Sequence, residues 1–209
     1  MTRFLNYYQA RGHIFGECWS HPDIDLMYVN IPKNATSWTK VALLSHQWEC
    51  YNYHLDNLYH KTPLVVLRDP IDRWVSGIAE FFYLYHRDLS TDSFNSALCD
   101  VVFDKVAFDD HTERQTYFLE GLDTENCVYF MFDDTYQPLF SQFLSGYGIN
   151  NNFTGIEKQH VSDLEPVRRN FKQFFKDKLA EPKYLNQIRS YFEPDYQLIN
   201  SVKFYKGMQ

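Results

Sequence analysis

The feature that most constrains this chain is an alternation. Three short runs of strand-forming residues, Leu26–Ile31 (LMYVNI), Pro63–Leu67 (PLVVL) and Val128–Phe132 (VYFMF), are each followed by a stretch with helical spacing. Runs this short and apolar on both faces read as buried strands. Parallel neighbours need a crossover connection, and the intervening helices supply it. The expectation is an α/β fold with a central parallel sheet and helices on both faces. Glu49–Tyr53 adds a fourth, weaker strand. The first 25 residues show no clear period and are expected to wrap the surface.

Helical spacing predicts a helix from Thr36 or Ser37 to Gln47, capped by one of those hydroxyls, and a long one from Ile71 to His86. Further helices are predicted over 93–107, 112–120, Tyr136–Tyr147, 164–179, 183–192 and 195–202. Pro70, Pro166, Pro182 and Pro194 fall near helix starts, where a missing N–H costs nothing. Gly148–Asp163 reads as a long polar loop. No linker-like stretch divides the chain, so residues 1–209 are expected to form a single domain.

Charge excludes one class of partner. The net charge is −7, which argues against general nucleic-acid binding while leaving room for a local basic cleft. The four cysteines, at 18, 50, 99 and 127, show no ligand spacing, so no metal site is expected and free thiols are. Aromatics make up 18% of the chain and imply an aromatic-rich core. No apolar signal-peptide region or membrane-length run occurs, and no membrane partner is expected. The glycosylation sequon Asn34-Ala35-Thr36 falls in a segment where a glycan would block a binding loop. A second, Asn152-Phe153-Thr154, has no such conflict. A cytoplasmic location is the expectation.

Two segments carry chemistry. In Tyr28–Trp38 a strand leads through Pro32-Lys33-Asn34-Ala35 into a helix start bearing Thr36, Ser37 and Trp38. A helix N-terminus offers unpaired N–H groups and partial positive charge, and Lys33 adds a full one. This is the logic of a nucleotide P-loop without its sequence, because no glycine lies between Gly16 and Gly77. In Val65–Ser76 a buried strand ends at Arg68, a helix begins at once, and Ser76 lies two turns on. Ligands of open parallel sheets bind at the carboxyl ends of strands, where Arg68 and Lys33 both fall. Arginine suits bidentate phosphate binding. The alternative for Arg68 and Arg73 is structural pairing with Asp69 and Asp72.

Together, strand–PKxxxS–helix and strand–RDPxxRxxS–helix resemble the two cofactor-binding segments of sulfotransferases that use 3′-phosphoadenosine 5′-phosphosulfate (PAPS), above all the carbohydrate sulfotransferases. The resemblance implies a P-loop-like three-layer sandwich. It assigns Pro32 to Trp38, with Lys33, Thr36 and Ser37 foremost, to the phosphosulfate, and Arg68 and Ser76 to the 3′-phosphate. Tyr53-His54-Leu55-Asp56 resembles the His-x-Asp of heparan sulfate 6-O-sulfotransferases, where the histidine is the base. Glu113–Leu119, Phe130–Asp134 and Tyr191–Leu198 resemble further segments of the same enzymes. A cofactor-covering loop of the family falls near Lys158.

The reaction this implies moves a sulfuryl group from PAPS to the hydroxyl of a glycan or small alcohol, leaving PAP. His54 accepts the acceptor's proton, and Lys33 stabilises charge on the leaving phosphate. Glu49, Asp56 and His60 are rival bases, and His111 is a candidate for the acceptor cleft. Two other classes stay open: a P-loop-type nucleotide phosphotransferase or kinase, and a non-catalytic PAP-binding relative.

Overall fold

The computed structural model describes residues 16–86, 88–149 and 165–207. Its strands are β1 Glu17–Ser20, β2 Leu26–Val29, β3 Glu49–Asn52, β4 Thr62–Leu67 and β5 Val128–Met131. Its helices are α1 Thr36–Leu44, α2 Pro70–Tyr85, α3 Ser96–Lys105, α4 Tyr136–Ser145, α5 Pro166–Lys178, α6 Pro182–Tyr191 and α7 Glu193–Ser201. They fall into two compact units. Of the described residues, a sheet unit takes 16–68, 115–149 and those from Leu198 onward; a helical unit takes 69–114 and the C-terminal helices to Gln197.

The sheet unit is built on one mixed sheet, ordered β3-β1-β2-β4-β5. The parallel part is the expected one: β2 pairs with β4 and β4 with β5. The entirely parallel expectation fails at β1, which pairs antiparallel with both β2 and β3. Five residues separate β1 from β2, far too few for a crossover, so the pair can only be antiparallel. β1 escapes a reading by hydropathy because its pattern is inverted. Cys18 and Ser20 point into the protein, while Glu17 and Trp19 are half-buried. The first residues described are therefore strand, not surface wrapping.

Alternation along the strands feeds two cores. Leu26, Tyr28, Leu64, Val66 and Phe130 face Trp38, Leu43, Tyr136, Phe140 and Leu144 of α1 and α4. Met27, Val29, Val65, Leu67 and Tyr129 face Phe118, Leu119, Leu198, Ile199 and Val202. Beyond β5, Tyr205 N–H donates to the Tyr129 carbonyl at 2.8 Å and covers part of the sheet edge.

The helical unit has an aromatic core. Trp74, Phe81 and Phe82 of α2 pack with Phe171 and Phe175 of α5, and Phe103 stacks on Tyr184 with ring centroids 4.2 Å apart. α2 starts where Pro70 predicts, with the Asp69 carboxylate accepting from Asp72 N–H at 2.9 Å. The helix expected over 112–120 is mostly absent; only Thr116–Leu119 forms a single 3₁₀ turn. The segment opens instead in a turn held by the Thr112 side chain. Thr112 Oγ1 accepts from Phe108 N–H at 2.7 Å and from Asp109 N–H at 3.0 Å. The predicted loop over Gly148–Asp163 falls largely outside the described residues, and with it Lys158 and the sequon at Asn152. Among the described residues no helix is long and apolar enough to cross a membrane.

Candidate functional site

The candidate site lies in the sheet unit, at the carboxyl ends of β2 and β4. β2 ends at Val29, and Pro32 prevents a further ladder bond. The chain then makes a tight loop in which Lys33 (φ 69°) and Ala35 (φ 59°) both adopt left-handed backbone. Neither is glycine, so each costs roughly 1 kcal/mol or more. Backbone of alternating hand curls N–H groups toward one side.

Asn34, between them, holds the loop in this state. Its side chain is fully buried, and Nδ2 donates to the Val66 carbonyl at 2.7 Å and to Gln115 Oε1 at 2.6 Å. The sequon asparagine is thus an internal clamp. Its Oδ1 is buried without a hydrogen-bond partner.

α1 begins without the predicted hydroxyl cap. Ala35 is the N-cap residue and supplies no side-chain bond. Thr36 Oγ1 donates backwards to the Ile31 carbonyl at 2.8 Å, and Ser37 is exposed. Among the described residues no backbone carbonyl accepts from the N–H groups of Ala35, Thr36 and Ser37. An uncapped first turn with donors unclaimed is a surface suited to an anion. Trp38 points the other way, into the core against Tyr136, with ring centroids 5.6 Å apart.

Arg68 follows β4 directly. Its Nη1 donates to the Lys33 carbonyl at 3.1 Å, and its guanidinium lies 5.2 Å from the centre of the Phe132 ring. The backbone of Arg68 is held by Gln115, whose side-chain amide acts as a short strand partner. Gln115 Oε1 accepts from Arg68 N–H at 2.9 Å, and Nε2 donates to the Arg68 carbonyl at 2.9 Å. One glutamine therefore locks the end of β4 to the β2–α1 loop through Asn34. Lys33 and Arg68, predicted to share one edge, are adjacent there.

His54 follows β3. β3 runs in the direction of β2, since both are antiparallel to β1, and Asn52 pairs with Glu17 at the same edge that Val29 reaches. His54 is therefore on the predicted side of the sheet. β1 lies between β3 and β2, a lateral offset of roughly 10 Å. The rivals separate by position. Glu49 begins β3 and His60 precedes β4, so both lie toward the opposite edge. Asp56 stays near His54, but its Oδ2 accepts from Asn52 N–H at 2.8 Å and shapes the turn. Sequence reading missed Glu17 at this edge; its Oε1 accepts from Asn30 Nδ2 at 2.5 Å and from Lys40 Nζ at 2.6 Å. Only knowledge that residues 17–20 form a strand would have found it.

The remaining candidates belong to the helical unit. Ser76 is buried in α2. Arg73 is completely buried. It donates to the carbonyls of Glu113 and, at 3.1 Å, Asp110. Burial lowers its pKa to about 10, opposed by the charges of Asp195, Asp109 and Glu113. Its surroundings are thus not the Asp69 and Asp72 pairing left open by the sequence. His111 Nδ1 lies 3.0 Å from carboxylate oxygens of both Asp109 and Asp110. Burial alone would lower its pKa, but these two partners hold it at about 9. Asp109, Asp110 and His111 are close enough to share a cation, though such acidic groupings are common without one. Glu113 accepts from Tyr191 Oη at 2.5 Å, and the Arg114 guanidinium lies over the Tyr191 ring.

The sheet unit also holds a recess of about 550 Å³ between α4 and the C-terminal segment, lined chiefly by Met131, Tyr136, Leu139, Phe204 and Tyr205, with Lys206 at its rim. Its volume is within the range of small-molecule sites. No family model matches the chain, nor does any curated protein or solved structure, so the geometry above carries the functional reading.

Proposed function

We propose that this protein is a sulfotransferase, moving a sulfuryl group from PAPS to an acceptor hydroxyl on a glycan or small alcohol. The observation that carries this reading is the uncapped, left-handed loop at Lys33–Ser37 joined directly to Arg68. It supplies two cations and several unclaimed N–H donors at adjacent strand ends, which suits a ligand bearing two separate anionic groups. The proposed architecture is P-loop-like, with the parallel β2-β4-β5 core as its centre.

In this reading the N–H groups of Ala35, Thr36 and Ser37, with Lys33, hold the 5′-phosphosulfate. Arg68 faces the 3′-phosphate. As the sulfuryl group departs, negative charge grows on the leaving phosphate oxygen, where Lys33 and the fixed N–H dipoles act without reorganising. His54 takes the proton released by the acceptor. The reading leans on neither Ser76 nor Lys158.

The test is incubation with ³⁵S-labelled PAPS and a panel of glycans and small alcohols. Transfer of label that is lost in Lys33→Ala supports the reading. Tight PAP binding without transfer to any acceptor would favour a non-catalytic PAP-binding protein. Phosphoryl transfer from Mg-ATP would favour a kinase.

A further inference from the structure

His54 sits in a slot that the chain builds around it. Gly16 (φ +88°) and Gly121 (φ +84°) flank the imidazole. A Cβ on Gly16 would fall 2.6 Å from His54 Cδ2, and one on Gly121 3.3 Å from Cε1. The Tyr53 ring packs 4.2 Å from the imidazole centre, and Tyr53 is itself pinned by its hydroxyl donating to the Phe118 carbonyl at 3.0 Å. Asn52 Oδ1 accepts from His54 N–H at 3.1 Å. His54 Nδ1 is hydrogen-bonded to Tyr59 Oη. The imidazole is half-buried in this slot, whereas Tyr59 is 46% exposed.

A fixed imidazole behind an exposed phenol is the arrangement of an activated hydroxyl: a base, held by packing, bonded to a group that meets solvent. We infer that Tyr59 and His54 act as one proton-accepting pair, with Tyr59 the member that touches the acceptor. This rests on the sulfotransferase reading above and adds a catalytic residue to it. The acceptor O–H gives its proton to Tyr59 Oη as the Tyr59 proton passes to His54 Nδ1. The acceptor oxygen forms its bond to sulfur, and the bond from sulfur to the bridging phosphate oxygen breaks, its electron pair leaving with PAP. Tyr59 ends neutral, His54 ends as imidazolium, and the proton is later lost to water. The step requires the His54 tautomer with its proton on Nε2.

The pairing can be tested without an acceptor. Benzenesulfonyl fluoride reacts with an activated phenol: an O–S bond forms, fluoride leaves, and the base takes the proton. Tyr147 is 48% exposed and serves as an internal standard. Tyr59 is expected to be sulfonylated about tenfold faster than Tyr147, as activation by a positioned base requires. In His54→Gln that advantage disappears while Tyr147 labelling is unchanged, and the buried Tyr28 and Tyr136 stay unlabelled, which reports that the variant is folded. Equal labelling of the two tyrosines in the native protein, or an undiminished Tyr59 rate in His54→Gln, would overturn the pairing. In the labelled-PAPS assay Tyr59→Phe, which keeps the ring, should lose about a hundredfold in turnover with PAP binding intact; full turnover would also overturn it. His54-dependent labelling without PAP binding would leave the pair standing and remove the sulfotransferase reading.

Discussion

Arg68 and Arg73 stand five residues apart in one motif, yet the chain uses them in opposite ways. Arg68 is half-buried at the end of β4, contacting a carbonyl and an aromatic face beside uncapped N–H groups. Arg73 is wholly buried in the helical unit, bonded to two carbonyls and surrounded by Asp195, Asp109, Glu113 and Asp110. An arginine already enclosed by carboxylates is neutralised and structural. One at a strand end beside open donors suits the external anion we propose for it. In the proposed reading the motif separates a binding arginine from a folding one, and burial is what distinguishes them.

The comparison breaks first if Arg73 proves dispensable. Arg73→Met should destabilise the protein by about 3–5 kcal/mol in urea unfolding, because it leaves buried carboxylates, Asp195 foremost, without compensation. Arg68→Met should change stability by less than about 1 kcal/mol, in the range of ordinary partly exposed sites. Similar losses from both would remove the distinction.

Next in size is a pH effect confined to the helical unit. The pKa of His111 is raised from 6.5 to about 9, so its stabilising charge is fully present below pH 6.5 and is lost as pH rises through about 9. The loss should reach up to about 3 kcal/mol, from the size of the shift. Urea titrations at pH 6 and pH 10 should show it, and His111→Gln should flatten the dependence. No difference between the two pH values would mean that Asp109 and Asp110 do not hold a charged histidine.

Gln115→Leu tests the lock on the binding side. It leaves Arg68 N–H, the Arg68 carbonyl and Asn34 Nδ2 each short of a partner, and about 1–3 kcal/mol of stability should go with them. PAP affinity should fall as well, because the loop and Arg68 lose their shared anchor. Loss of stability without loss of affinity would show that the loop keeps its form alone.

Much of this was legible in sequence where short-range chemistry decides. The strands at β2, β4 and β5, the start of α2 at Pro70, and the shared edge of Lys33 and Arg68 follow from apolar runs and the rules of parallel sheets. What was not legible depends on long-range pairing. β1 hides because Cys18 and Ser20 face inward while Trp19 does not. Gln115 reads as one more helical residue, and its role appears only when its amide meets the backbone of Arg68 47 positions away. Asn34 reads as a residue of the cofactor-binding loop, yet its side chain is buried and clamps that loop to β4. The left-handed backbone at Lys33 and Ala35 has no glycine to announce it.

The central claim is that the Lys33 loop and Arg68 form a two-phosphate site, and thermal unfolding with PAP or ATP tests it most directly. A ligand that binds only the folded protein raises the unfolding temperature by an amount that grows with the logarithm of its affinity. PAP should raise it by several degrees, ATP far less, and Arg68→Ala should erase most of the PAP effect, a 10–100-fold affinity loss being about the worth of charge-assisted hydrogen bonds. Equal shifts with PAP and ATP, or a PAP shift untouched by Arg68→Ala, would contradict it.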